Sequence, residues 1–171
     1  MNFLQYFSSS WILGILDNSV LTWALLACGI AQLSKLFIEL LFFQKWRPAV
    51  LIETGGMPSS HSSLVTATAA GIGIESGFDD PFFALACTVA FVVMYDASGV
   101  RRSAGIMAER INQLTSDNWP VVPEYPLKES LGHSRIEVLI GALIGPAIAL
   151  PGISLIGSPL KIIQSMGLNL G

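Results

Sequence analysis

The side chains with the clearest capacity for chemistry are two histidines, His61 and His133, the only histidines in the sequence. Glu137 follows His133 by four positions, so the two side chains would share one face of a helix. A carboxylate in that place can hold one imidazole nitrogen and leave the other free to act as a nucleophile or a base. A purely structural pair would have the same spacing, so the spacing alone leaves both interpretations open.

A helix start rich in small residues comes directly before and through His61. Residues 55–62 read GGMPSSHS, where the glycines allow a ligand to approach the backbone and the proline suits a first helical turn. Free N–H groups at such a turn bind anions, so we expect a phosphate near Ser59 and Ser60. The structural alternative is a helix start that Ser59 or Ser60 caps without any ligand.

Polar and charged side chains gather beside both histidines, at the ends of apolar runs. They include Arg47, Tyr95, Asp96, Arg101 and Arg102. Tyr95 and Asp96 are candidates for orienting an arginine, although Asp96 could simply neutralise Arg101. Together with the histidines these are the components of phosphoryl transfer without a metal ion, in which positioning and charge neutralisation do most of the catalysis. Imidazoles and carboxylates also suit several metals, so a metal site that uses both histidines, Asp96 and Glu137 is an alternative.

The elements that position these residues belong, by composition, to a membrane protein. Of 171 residues, 52% are hydrophobic and 12% are charged, whereas soluble domains carry about 25% charged residues. The net charge is −3, and no dense block of lysine and arginine is present, so nucleic acid is not an expected partner. Cys28 and Cys87 lie in apolar stretches, where we expect neither a disulfide nor a zinc site.

Four apolar runs approach the roughly 20 residues that a membrane-spanning helix needs. We predict spans over residues 20–43, 60–74, 81–95 and 136–153. Residues 97–117 place apolar side chains at helical spacing opposite charged ones, which predicts an amphipathic helix on the inner surface. Gly141 and Gly145 have the small-xxx-small spacing typical of close helix packing. The predicted fold is an all-α integral membrane protein, a single domain over residues 1–171 with about four transmembrane helices plus interfacial amphipathic helices.

Basic residues predict the orientation of these spans. Seven of the nine lysines and arginines fall on one side of a four-span arrangement: Lys45, Arg47, Arg101, Arg102, Arg110, Lys128 and Arg135. Because loops rich in lysine and arginine stay in the cytoplasm, we expect that side to be cytoplasmic and both termini to face outward. The candidate site would then face the cytoplasm.

Three motifs in order along the chain carry a resemblance to a known family. They are GMPSSHS at 56–62, YDASGVRRSAG at 95–105, and LKESLGH at 127–133 with Glu137 beyond it. They resemble the divergent branch of the phosphatidic acid phosphatase type 2 superfamily, also labelled acid phosphatase/vanadium-dependent haloperoxidase-related. The resemblance implies that His133 attacks phosphorus to form a phosphohistidine and that His61 protonates the leaving oxygen. It also implies that Glu137 orients His133, where the superfamily has an aspartate.

The resemblance also bears on phosphate binding. The superfamily places a lysine where Leu40 stands here, which leaves Lys35 and Lys45 as substitutes beside Arg47. Its Ser-Arg pair before the nucleophile is absent as well, which leaves three other basic residues as replacements: Lys128, Arg101 and Arg102.

The function implied is an integral membrane lipid phosphatase that works without a metal or another cofactor. The expected substrate is a lipid phosphate monoester at the cytoplasmic leaflet, such as phosphatidylglycerol phosphate or phosphatidate. The alternatives are a non-catalytic membrane protein that binds an anionic lipid or a partner, and a prenyl diphosphate phosphatase. Because membrane members of the superfamily usually have six spans, we also expect a homo-oligomer that completes the bundle.

Overall fold

The computed structural model of the protein describes residues 11–44, 46, 48–51, 55–118 and 126–167. Its helices are α1 (Ser19–Phe43), α2 (Ser60–Ser76), α3 (Pro81–Ser98), α4 (Val100–Asn118), α5 (Arg135–Leu155) and α6 (Pro159–Ser165). Residues 11–16 are also helical, and Pro48–Leu51 forms one 3₁₀ turn. No strand occurs in the described ranges, so the prediction of an all-α fold is confirmed.

Helix starts are fixed by polar side chains that accept backbone N–H groups. Asn18 caps α1, Ser59 caps α2, and Asp80 caps α3 ahead of a proline in the first turn. Ser134 caps α5 and accepts the N–H of Glu137. Each cap satisfies a donor that the helix itself leaves unpaired, so each of these helices begins at a defined residue.

Within the part of the chain that the structure describes, three helical stretches are long and apolar enough to cross a membrane: Ser19–Leu41, Pro81–Gln113 and Arg135–Ser165. The helix α2, which corresponds to the predicted span over residues 60–74, is not among them, because it has 17 residues and a length of about 25 Å. It is nevertheless the central helix, since it packs against α1, α3 and α5. The fold is therefore a bundle of membrane-length helices around a shorter and more polar one.

Small residues bring α2 and α5 into close contact. A Cβ atom at Gly141 would overlap the carbonyl oxygen of Ser59, and one at Gly145 would overlap the backbone near Ser63. The core beside them is built of alanines with one isoleucine: Ala24, Ala27, Ala67, Ala149 and Ile153. This close approach sets the distance between the helix starts that carry the two histidines.

The helix α4 starts later than the predicted range of 97–117. Ala97 and Ser98 complete α3, and Gly99 separates the two helices, with its N–H donating to the carbonyl oxygen of Tyr95. One edge of α4 holds the incoming chain, because Asn112 donates to the carbonyl oxygen of Leu127 at 2.8 Å and accepts its N–H at 2.9 Å. This pairing guides the segment that leads to His133.

Candidate active site

The backbone before His133 turns sharply at Gly132. Gly132 has a φ of +80°, and a Cβ atom there would overlap the backbone of Arg102, so only glycine fits without strain. The N–H of His133 donates to the carbonyl oxygen of Ala97 at 2.9 Å. The loop that carries His133 is therefore fastened to the end of α3.

The side chain of His133 is held by Glu137. Nδ1 of His133 lies 3.2 Å from Oε2 of Glu137, and the same oxygen accepts the N–H of Ser134 at 3.0 Å. Oγ of Ser134 in turn accepts the N–H of Glu137 at 3.3 Å, which completes a capping box. Because a carboxylate accepts hydrogen bonds, it favours the tautomer that carries its proton on Nδ1 and leaves the lone pair on Nε2.

The other nitrogen of this imidazole, Nε2, has a setting suited to reaction. His133 is 4% exposed, and its Nε2 is buried without a hydrogen-bond partner among the described residues. His133 lines a cavity of about 180 Å³ with His61, Val92, Val93, Asp96, Ala97, Arg101 and Gly132. Buried polar atoms are normally satisfied, so an unpaired Nε2 in a residue that borders a cavity points to a ligand or a reacting group.

Burial also controls the protonation of His133. It lowers the pKa of the imidazole below the ordinary value of 6.5, and the positive charge of Lys35 and the neighbouring His61 act in the same direction. The hydrogen bond and charge of Glu137 oppose this and raise the pKa, but burial is the larger effect. The imidazole is therefore neutral at pH 7, which is the form that can attack phosphorus.

The first turn of α2 brings His61 to the same cavity. Its position depends on Ser59, whose N–H donates to the carbonyl oxygen of Glu137 at 3.1 Å and whose Oγ accepts the N–H of Ser62 at 3.3 Å. The N–H of Ser59 is thus already engaged, and the side chains of Ser59 and Ser60 are buried. In this structure Ser59 acts as a cap and a bridge between α2 and α5.

Two neighbouring arginines border different cavities that His133 also lines. Arg101 borders the cavity that holds both histidines, and its Nε lies 2.6 Å from Oδ2 of Asp96, with 56% of the arginine side chain exposed. Arg102 borders a second cavity of about 340 Å³ that also touches His133 and Glu137. An exposed pair of this kind adds little stability, so the pairing of Asp96 with Arg101 matters mainly because it orients the guanidinium.

Lys35 reaches the site from within α1. Its side chain is 3% exposed, and Nζ donates to the carbonyl oxygen of Gly55 at 3.1 Å. A buried lysine in a membrane-length helix is costly, and here its charge lies at the loop that leads into α2. The structure therefore places Lys35 beside the GGMPSSHS segment that the sequence selected for phosphate binding.

Other predicted residues lie apart from the two cavities. Tyr95 is 67% exposed and stacks on Phe91 with ring centroids 6.1 Å apart, so it does not border the cavity that Asp96 borders. Lys128 is exposed on the segment before His133 and borders neither cavity. Lys45 and Arg47 lie outside the described residues.

Two residues that shape the site were not predicted from the sequence, because neither has a reactive side chain in the cavity. Ser134 fixes Glu137 through the capping box, and its Ser-x-x-Glu spacing is a recognisable helix-start signal. Ala97 supplies the carbonyl oxygen that anchors His133, and no sequence signal marks it, because the contact is backbone to backbone. As for metals, no group of three His, Cys, Asp or Glu side chains converges within the described ranges.

Comparisons with known proteins give the chain its relatives. A family model described as the divergent PAP2 family matches residues 16–148. The chain is 39% identical over 149 residues to the uncharacterized membrane protein YuiD of Bacillus subtilis (strain 168), covering 80% of this chain and 94% of that protein. No solved structure matches.

Proposed function

Because the chain belongs to the divergent PAP2 family, we propose that it is an integral membrane phosphatase that hydrolyses a lipid phosphate monoester. The observation that carries this proposal is the arrangement of His133, whose Nδ1 is held by Glu137 while its buried Nε2 has no partner among the described residues. The second histidine, His61, borders the same cavity. The arrangement supports covalent catalysis with separate nucleophile and acid.

The proposed reaction has two steps. In the first, Nε2 of His133 attacks phosphorus, the bond from phosphorus to the alkoxide oxygen breaks, and His61 gives its proton to that oxygen. Glu137 stabilises the positive charge that develops on the imidazole. In the second, His61 takes a proton from water as the water oxygen attacks phosphorus, the bond from Nε2 to phosphorus breaks, and inorganic phosphate leaves.

Phosphate charge is neutralised by basic groups around the cavity. We assign the contact with phosphate oxygens to the terminal nitrogens of Arg101, which borders the cavity and is oriented through Nε by Asp96, because charge-assisted pairs of this kind are strong. Arg102 borders the second cavity together with His133, and Lys35 donates a hydrogen bond to the carbonyl oxygen of Gly55. From the sequence we add Lys45 and Arg47 to the proposed set, with Ser60 at the first turn of α2 and no metal or other cofactor required. Lys128, which borders neither cavity, is not part of the proposed set.

The distribution of basic residues supports a cytoplasmic site. In the four-span arrangement predicted from the sequence, seven of the nine lysines and arginines fall on the side of both histidines, and loops of this kind remain in the cytoplasm. We therefore propose that the termini face outward and that the substrate belongs to the inner leaflet, as phosphatidylglycerol phosphate and phosphatidate do. A prenyl diphosphate on the outer leaflet would require the opposite orientation.

The decisive experiment is phosphate release by purified protein in vesicles that contain a chelator. Phosphatidylglycerol phosphate, phosphatidate and a prenyl diphosphate are offered in separate vesicles, and we expect turnover of a monoester in the presence of the chelator. Activity that the chelator removes and added metal restores would contradict the metal-independent mechanism. Binding of the lipids without any turnover would instead support the non-catalytic alternative.

We predict an acid limb in the pH dependence of turnover that lies below the ordinary histidine value. Turnover requires neutral His133, whose pKa burial lowers below 6.5, so on the acid side of the profile activity is lost only as this imidazole protonates below that pH. Glu137→Gln removes a group that raises this pKa, which moves the limb further down. Lys35→Met removes a charge that lowers it, which moves the limb up.

The measurement is the logarithm of kcat/KM against pH for the three proteins. Both substitutions will also reduce the height of the profile, so the readout is the position of the acid limb and not the rate. The acid limb of each variant is compared with that of the wild-type protein, because Lys35 acts on His61 as well as on His133 and the alkaline limb can therefore move too. A wild-type acid limb above 6.5, or shifts of the same sign in both variants, would show that His133 is not the titrating nucleophile.

A further inference from the structure

A long apolar groove runs along the outside of α2. The helices α1 and α3 both pack on α2 and leave between them a space of about 480 Å³. Its walls include Leu25 from α1, Leu64 and Val65 from α2, and Leu85 from α3. The lone polar side chain among its lining residues is Thr68, whose hydroxyl donates to the carbonyl oxygen of Leu64 at 2.9 Å. The groove therefore offers a ligand only hydrocarbon contacts.

The groove begins one helical turn from the cavity that the histidines border. On α2, His61 borders that cavity, while Leu64, Thr68 and Ile72 border the groove. Residues three and four apart share one helical face, so His61 begins the stripe that becomes the groove floor. From His61 to Ile72 the stripe extends about 16 Å at 1.5 Å per residue.

The opposite wall shows the same continuity. On α3, Val89 borders the groove, Val92 and Val93 border the histidine cavity, and Asp96 lies one turn further on. Among the residues that line either space, the charged and imidazole groups stand at the His61 end. The two spaces thus follow one another along α2 and α3, with the polar groups in the first and apolar walls in the second.

We propose that the groove holds a hydrocarbon chain of the substrate while its phosphate lies at His133. The inference rests on the proposed function and narrows it to amphiphiles whose chain extends along α2 from the phosphate. An amphiphile held in this way keeps its head at one membrane surface and its chain towards the membrane centre, as a lipid of that leaflet does. A water-soluble phosphate ester would leave the groove empty.

We expect the groove to increase turnover by positioning the phosphate of the substrate. A hydrocarbon chain in a bilayer already has apolar surroundings, so moving it into the groove yields little hydrophobic gain. Fixing the chain, however, restricts the headgroup and keeps phosphorus in line with Nε2 of His133, and small misplacements at this point reduce rates strongly. Turnover should therefore increase with chain length until the chain fills the groove, and then remain level.

The kinetic test fills the groove with a side chain. Ala86→Trp places an indole among its lining residues, and Leu143→Trp is the matched control on α5, where Leu143 is 65% exposed. For a long-chain phosphatidate we expect Ala86→Trp to lower kcat/KM by about tenfold or more. Butyl phosphate, whose chain is too short to reach the groove, should be hydrolysed equally by all three proteins.

A labelling experiment keeps the inference testable even without turnover. A phosphatidate that carries a diazirine in mid-chain is photolysed with the protein in vesicles, and the labelled peptides are mapped. We expect labels on the facing sides of α1 and α3, displaced by unlabelled phosphatidate and not by diacylglycerol, and lost in Ala86→Trp. This result in a protein without turnover would support the groove and contradict the proposed function.

The opposite outcomes overturn the groove inference alone. If long-chain phosphatidate is hydrolysed and Ala86→Trp behaves as Leu143→Trp does, the phosphatase function stands and the chain lies elsewhere. Labels spread over all exposed apolar faces and unaffected by competitor would mean that the groove holds ordinary bilayer lipid. Cysteines introduced at Leu25 or Leu85 that form disulfides between two copies of the chain would mean that a second copy occupies the groove.

Discussion

Replacing His133 by alanine is expected to lower the release of phosphate from a lipid monoester by at least about 10³-fold. The substitution removes the buried Nε2 that would form the covalent bond to phosphorus, and no nearby described group is placed to substitute for it. His61 borders the same cavity, but it is assigned to the proton and not to the bond. The measurement is the initial rate of phosphate release in vesicles at saturating substrate.

His61→Ala is the matched control, because it removes the other histidine of the chain. Loss of a general acid costs about 10²–10⁴-fold, and that cost should shrink for an aryl phosphate whose leaving group needs no proton. No choice of leaving group should rescue His133→Ala. A brief incubation with ³²P-labelled substrate should trap acid-labile label on wild-type protein and on His61→Ala, and none on His133→Ala. Label that persists in His133→Ala would reject the assignment of the nucleophile.

Replacing Gly141 by alanine is expected to destabilise the bundle by about 3 kcal/mol. The new Cβ atom would overlap the carbonyl oxygen of Ser59, which is backbone at the start of α2 and cannot rotate away as a side chain could. The substitution pushes α2 away from α5 and thereby separates His61 from His133. Thermal unfolding in detergent should show a midpoint lower by roughly 6–12 °C, and phosphatase activity should fall with it.

Gly29→Ala provides the comparison, since no atom lies within 4 Å of the place where its Cβ would be. Alanine favours a helix over glycine by about 1 kcal/mol, so this variant should unfold at the same temperature or a higher one. Equal midpoints for Gly29→Ala and Gly141→Ala would mean that α2 and α5 do not approach as closely as described. The pair therefore separates the effect of a helical glycine from the effect of a helix contact.

Much of the fold could be predicted from the sequence, because membrane helices leave strong local signals. The apolar runs marked the helices α1, α3 and α5, and the Gly141 and Gly145 spacing indicated close packing, which the contact of α5 with α2 bears out. The all-α membrane fold was confirmed. Family membership followed from the three motifs in order, and the match over residues 16–148 agrees with them.

The arrangement of the site was harder to predict, since it depends on contacts between distant segments. Periodicity gives no information that the N–H of His133 meets Ala97 or that the N–H of Ser59 meets Glu137. The glycines and serines around Ser59 predicted a phosphate-binding loop. In the structure Ser59 caps α2, and its N–H donates to the carbonyl oxygen of Glu137 on α5. Tyr95 looked like an orienting group by its neighbours, and stacks on Phe91 instead.

The capping box at the start of α5 has a consequence for the choice of carboxylate. Glu137 occupies the N3 position, where its side chain reaches back to the N–H of Ser134 and at the same time holds His133. The superfamily aspartate implied by the resemblance is one methylene shorter, and the reciprocal cap is a property of glutamate and glutamine at N3. Glu137 therefore contributes both to the capping of α5 and to the pKa of the His133 imidazole, so a substitution at this position changes both properties together.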